Sequence, residues 1–322
     1  MSLTIDDLFA TPDHYLHSFE RDSAIFMPMN RYTYYQSLFL DRRIITATAQ
    51  TMTLPVATLS QCIPPPLPTA WIFHIAHCGS TLLARALDQP NASLVLREPL
   101  ALRQTALGNS DVWLPLVRAM ISKRYRDDAP TLIKANVPVN FLLPKLAATQ
   151  AGARAIFLYL PFRSYLMAIL RDAPHRQWIR NVTSQLASYI GDLSLASDAD
   201  RAAALWLAQI NAFAQALALM PHARTLNAEF FFANPVPTLK AAAHHLELPI
   251  EGPQLEATVA GPLFATYSKN PSVVFDNAAR LARIAKVEKD LAAEIASATA
   301  WLTRHIVSGS PDAALLPAAL IR

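Results

Sequence analysis

Residues 71–75 read Trp-Ile-Phe-His-Ile and run through Ala76-His77-Cys78-Gly79 into Ser80-Thr81-Leu82-Leu83-Ala84-Arg85-Ala86-Leu87. An almost wholly apolar run suits a strand covered on both faces, and the segment 80–87 suits a helix. Glycine is scarce in this chain, seven in 322 residues. One standing where a strand turns into a helix marks a backbone conformation that other residues avoid. Such a turn aims successive N–H groups and the positive helix end at one point, which is an anion-binding geometry. The plainer alternative is a turn glycine followed by an N-capping serine.

The rest of the chain repeats the strand-then-helix pattern. Strands are expected at 94–96, 131–133, 155–160 and 224–227. Helices are expected at 101–107 and 111–126, several times between 163 and 220, after Pro237, and as an amphipathic stretch over 277–303. This alternation implies right-handed βαβ units and a central parallel sheet between helical layers, a three-layer α/β fold of the P-loop type with helical insertions. Ligands of such sheets sit at the carboxyl ends of the strands. Upstream, the proline-rich stretch 63–69 reads as a linker. It separates the P-loop-type domain, 70–322, from a small N-terminal appendage, 1–62, with clustered aromatics (Phe26, Tyr32, Tyr34, Tyr35, Phe39) and β-rich stretches at 44–48 and 51–54.

Composition excludes some classes. The net charge of +4 suits an anionic small molecule and is too weak to argue for nucleic acid. The densest basic run, Lys123-Arg124-Tyr125-Arg126, is followed at once by Asp127-Asp128 and reads as a solvated helix end. Residues 202–221 carry no charge and are long enough to cross a bilayer. Gln209, Asn211 and Gln215 interrupt them, however, and Trp206, Ile210, Phe213 and Leu217 fall on one helical stripe. A buried globular helix is expected there. Two cysteines without ligand spacing, and an amino terminus without a basic or apolar leader segment, fit a cytoplasmic protein.

The turn is not a Walker A loop, because His74 and Ser80 stand where GxxxxGK[ST] needs its first glycine and its lysine. No expected strand ends in an aspartate that would hold Mg²⁺, so a metal-dependent kinase or NTPase is disfavoured and no metal is expected. A pair at His244-His245 has no acidic or cysteine ligand near it, and adjacent helical residues point apart. Cys78 would need an orienting base to act as a nucleophile, and His74 reads as a core residue.

The stretch HCGSTLLARALDQPNASLVLREPL, with Leu132-Ile133-Lys134-Ala135-Asn136-Val137-Pro138, AIFLYLPFRSYLMAIL and the segment ending HHLELP, resembles the sulfotransferase family over residues 70–270. That resemblance implies metal-free use of 3′-phosphoadenosine 5′-phosphosulfate (PAPS) as donor and a hydroxyl or amine of a small molecule or peptide as acceptor. It assigns the donor's 5′-phosphosulfate to Cys78, Gly79, Ser80 and Thr81. His77 stands where the family usually has Lys or Arg. The base of one branch falls on Asn136, which cannot take a proton, whereas the Glu of another branch falls on Glu98. Glu98 is therefore the expected base, with His77 and Lys134 stabilising charge, and Arg97 and Arg103 flank it. The 3′-phosphate Arg and Ser positions fall on Leu160 and Ala168, leaving Arg163 and Ser164 as nearby substitutes, and Lys269 falls on a basic lid. Two rival readings stand beside this one, a non-catalytic nucleotide- or anion-binding protein and a diverged P-loop kinase.

Overall fold

The computed structural model describes residues 4–306 and 309–321. Three strands, β1 (His14–Glu20), β2 (Ser23–Pro28) and β3 (Met52–Pro55), form an antiparallel sheet. The next five, β4 (Thr69–His74), β5 (Val95–Arg97), β6 (Thr131–Lys134), β7 (Arg154–Tyr159) and β8 (Ala223–Asn227), form a parallel sheet in the order β5-β6-β4-β7-β8. A two-stranded hairpin, β9 (Thr266–Tyr267) and β10 (Asn270–Val274), follows. The α/β class with helix-flanked central parallel strands is as the sequence implies.

All six residues of β4 are buried, as are five of six in β7, which is why both read as apolar runs rather than as alternation. The stack Trp71–Phe73–Phe157–Phe213 carries the core from the sheet into the helix Asp198–Leu219. That helix is the one described segment long and apolar enough to cross a membrane. It instead buries Trp206, Ile210 and Phe213, and the Trp206 indole donates to Leu160 O at 3.0 Å.

Strand order places the switch point at β4, which pairs with β6 on one side and β7 on the other. The first crossover, β4 to β5, runs one way and the later ones run the other, opening a crevice above the carboxyl end of β4.

The N-terminal segment shares the main core, with Leu8, Tyr15 and Phe26 continuous with Trp71 and Phe157. Its fastening is polar. Buried Arg97, at the end of β5, pairs with buried Asp88 and donates to the carbonyls of Tyr34, Tyr35 and Ser37. Asp88 caps the end of the helix Ser80–Leu87 and also takes Arg31 at 2.6 Å. Gln104 closes a reciprocal pair of bonds with the main chain of Phe19, at 2.8 and 2.9 Å.

Some sequence expectations shift. Residues 44–48 form no strand: Ile45 N–H is taken by the Ser37 hydroxyl and Ala47 N–H by Pro28 O, leaving nothing for a ladder. The helix expected over 111–126 spans only Trp113–Ile121, and the Lys123 carbonyl instead accepts from Thr131 Oγ1 at 2.6 Å. The stretch 277–303 is two helices, Asn277–Asp290 and Ala292–His305, meeting at Leu291.

Removing the Arg97 guanidinium would leave three carbonyls and Asp88 Oδ2 without their donor, with Arg31 alone on the buried carboxylate. Arg97→Met is expected to cost about 3–5 kcal/mol, whereas Arg43→Met, at an exposed pair with Asp41, should cost less than about 1 kcal/mol. Equilibrium urea unfolding measures both, and similar small losses would contradict the node.

Candidate anion site at the carboxyl end of the parallel sheet

The turn after β4 is built on two left-handed residues, His77 at φ 60° and Gly79 at φ 81°. An added Cβ on Gly79 would lie 2.6 Å from Phe232 Cζ, so both conformation and space demand glycine. The first main-chain bond of the following helix is Leu83 N–H to Gly79 O, at 3.0 Å. The N–H groups of Gly79, Ser80, Thr81 and Leu82 therefore precede the helical ladder and have no carbonyl partner. These four residues line a cavity of about 620 Å³.

The cavity has two ends, fixed by the sheet. Toward β5 and β6 its walls include Phe39, Arg43, Glu98, Arg103 and Asn136. Toward β7 and β8 they include Ser164, Arg171, Phe232, Arg280 and Arg283. Six cations (Arg43, Arg103, Arg171, Lys269, Arg280 and Arg283) face three acids, Glu98, Glu229 and Asp276. Arg280 is committed to Glu229 at 2.7 Å and lies 4.2 Å over the Phe232 ring, wedging that ring against Gly79. Arg103 binds only the Gln185 amide oxygen, at 2.8 Å. Arg171 donates to Asp172 and, at 2.6 Å, to His175 Nε2.

Glu98 adopts φ 58° immediately before Pro99, a position where proline crowds the preceding residue. Its N–H donates to Lys134 O at 2.7 Å, and Lys134 Nζ grips its Oε1. Strain held by such bonds is characteristic of functional positions. Burial pushes the Glu98 carboxyl up, but Lys134, then His74 and Lys269, outweigh it and leave its pKa below the ordinary value of 4.5. Burial pulls the Lys134 ammonium down against the opposing carboxylate. Their register explains the meeting, since Arg97 pairs with Lys134 across β5 and β6.

The remaining sequence candidates divide. His77 lines the cavity, with its ring 4.2 Å from that of His175. Burial, then Lys269, His175 and Arg171, press its pKa well below 6.5. The imidazole is thus neutral at neutral pH, and the positive charge beside the turn is that of Lys269, which lines the same space. Cys78 has its thiol buried, donating to Ile75 O, with a pKa pushed up by burial to about 12, which rules out a thiolate nucleophile. Ser164 lines the cavity, but Arg163 does not: it sits in solvent, paired with Glu288 at 2.7 Å. Ser164 and Ala168, one turn apart on the helix Phe162–Ile169, line the cavity with Arg171 from the bend beyond it, and Arg163 is rotated off the Ser164–Ala168 stripe. The sequence does not mark Arg171, Arg283, Phe39 or Arg43 as site residues. Arg280 and Arg283, spaced i and i+3 on an amphipathic helix, carried the one available signal. Among the described residues, no group of three or more His, Cys, Asp and Glu is arranged to hold a metal ion.

No family model matches the chain, and no curated protein matches it. Among solved structures it is similar to a sulfotransferase domain from the curacin biosynthetic pathway, with 14% identity and a TM-score of 0.42 over 71% of this chain and 99% of that one. It is also similar to a sulfotransferase from Alicyclobacillus acidocaldarius, with 13% identity and a TM-score of 0.40 over 76% and 98%. Neither likeness is close enough to carry an activity.

Gly79→Ala is expected to lose about 1–3 kcal/mol of stability through the clash with Phe232 and to abolish anion protection of the melt. A thermal-shift titration with inorganic pyrophosphate reads both. Unchanged protection would remove the turn from the site.

Proposed function

We propose that the chain is a sulfuryl transferase that uses PAPS as donor and a hydroxyl or amine as acceptor. The observation that carries this reading is the row of amides at Gly79–Leu82 without carbonyl partners, in residues that line a cation-walled cavity whose β5 side holds Glu98. The amides of Gly79, Ser80 and Thr81 bind the 5′-phosphosulfate, and Arg171 with Arg283, rather than the solvent-facing Arg163, suits the donor's other phosphate. Glu98 takes the proton of the acceptor as its oxygen or nitrogen bonds to sulfur. The bond from sulfur to the bridging phosphate oxygen breaks, and adenosine 3′,5′-bisphosphate leaves with that electron pair. Lys269 and the amides meet the negative charge that develops on the bridging oxygen. Lys134 fixes the carboxylate and keeps it ionised.

The charge on Glu98 has a testable sign. Its lowered pKa means that acidification should reduce turnover only below the ordinary carboxylate range. Lys134 is the largest lowering influence, so Lys134→Met should move the acid limb of kcat/KM upward in pH. Glu98→Gln should reduce kcat by about 10²–10⁴. Labelled PAPS with a mixed acceptor pool, assayed across pH, measures all three. Absence of both PAPS binding and transfer would overturn the proposal.

A second reading, a PAPS- or nucleotide-binding protein without turnover, draws support from the same ion pair, because a carboxylate gripped by Lys134 is a weakened base. It expects stabilisation by adenosine 3′,5′-bisphosphate without product.

A further inference from the structure

The floor of the β5/β6 end holds two polar atoms that the reaction above leaves unused. His74 Nδ1 lies 2.8 Å from Ile75 O. A carbonyl only accepts, so Nδ1 carries the proton and Nε2 presents a lone pair. That Nε2 is buried without a hydrogen-bond partner, and so is Asn136 Oδ1. The two residues are 5% and 8% exposed, and both line the cavity. Each stands two residues beyond the last paired positions of β4 and β6, Ile72 and Lys134, so the parallel register carries both to the same end of the sheet. The third acceptor is Glu98 itself, whose Oε1 is 3.9 Å from His74 Nε2. A neutral imidazole nitrogen and a carboxylate cannot bond each other, since neither brings a hydrogen. Two buried acceptors without a donor, His74 Nε2 and Asn136 Oδ1, thus line the same cavity as the Lys134-bound Glu98, and buried acceptors left unpaired are costly.

We propose that the acceptor group is a primary amine, which donates one hydrogen to Glu98 and one into the His74–Asn136 pair; this rests on the sulfuryl-transfer reading above. Both N–H bonds then point at the floor, and the nitrogen lone pair faces the sulfur. A hydroxyl brings one hydrogen and leaves part of the floor unsatisfied. The attacking nitrogen must be neutral, and the charges facing this corner favour that. Lys134, Lys269, Arg43 and Arg103 surround it, against Glu98 and the Arg43-bound Asp41. Burial and Lys134 also hold the His74 pKa down at about 3, so its acceptor character persists at working pH. In the step itself, the nitrogen lone pair forms the N–S bond and the S–O bond to the 5′-phosphate breaks. The N–H proton passes to Glu98, and the products are a sulfamate and adenosine 3′,5′-bisphosphate.

The test supplies purified full-length protein with PAPS and matched acceptors: 2-phenylethylamine against 2-phenylethanol, and aniline against phenol. Binding of adenosine 3′,5′-bisphosphate is followed separately by calorimetry. The amines should exceed the alcohols in kcat/KM by about tenfold to hundredfold, the cost of one unsatisfied buried acceptor. Asn136→Leu and His74→Phe should each pull that ratio toward unity. Asn136→Leu, which keeps the side-chain size, serves alone if His74→Phe fails to fold. Equal or faster alcohol sulfation, an unchanged ratio in a folded variant, or bisphosphate binding without transfer to any amine would overturn the amine assignment while leaving the donor site standing. Loss of both bisphosphate binding and all transfer would instead bring down the sulfuryl-transfer reading, and the amine assignment with it.

Discussion

Four successive amides, from Gly79 to Leu82, are denied a carbonyl partner by the way the chain leaves β4. The cause is geometric: two left-handed residues, one of them a glycine pressed against Phe232, turn the backbone so that the helical ladder begins only at Leu83. Everything else in the site is arranged around that constraint. Phe232 is held down by Arg280 and Glu229, so the C-terminal helix Asn277–Asp290 is tied to the turn it covers. The N-terminal segment, locked by Arg97 and Asp88, brings Phe39 and Arg43 to the opposite end.

Electrostatics then separates the roles. The cavity is cationic, and half-buried Glu98 in its wall stays ionised because Lys134 and its neighbours outweigh the cost of desolvation. Burial first, and the neighbouring cations second, keep His74 and His77 neutral. Charge toward a donor anion therefore comes from Lys269 and the arginines, whereas the histidines offer lone pairs or a neutral surface. On the proposed reading, that division suits one end of the cavity to a donor anion and the other to a hydrogen-bond donor.

The fold was legible where the pattern is local. The strands β4 and β7 announce themselves as unbroken apolar runs, and Gly79 as one of few glycines at a strand-to-helix turn. Glu98 was legible only through a family resemblance, because no local pattern marks a residue whose strained φ and whose partner both come from a neighbouring strand. Arg163 points to solvent from the helix Phe162–Ile169, whereas Arg171 meets the cavity from the bend beyond that helix. Sequence cannot fix that without the packing of Trp206 beneath Leu160. Phe39 and Arg43 were invisible as site residues because their approach depends on the Arg97 node, a contact spanning about sixty residues of chain. Residues 44–48 misled because β-branched composition was outweighed by the Ser37 hydroxyl, which takes the backbone group a strand would need.

The most direct measurement is a crystal structure of the protein grown with adenosine 3′,5′-bisphosphate. The expected result is 5′-phosphate oxygens within about 2.7–3.2 Å of the amides of Gly79, Ser80 and Thr81, the ordinary N–H···O range. A nucleotide bound elsewhere, or amides found bonded to protein acceptors with the turn closed, would contradict it.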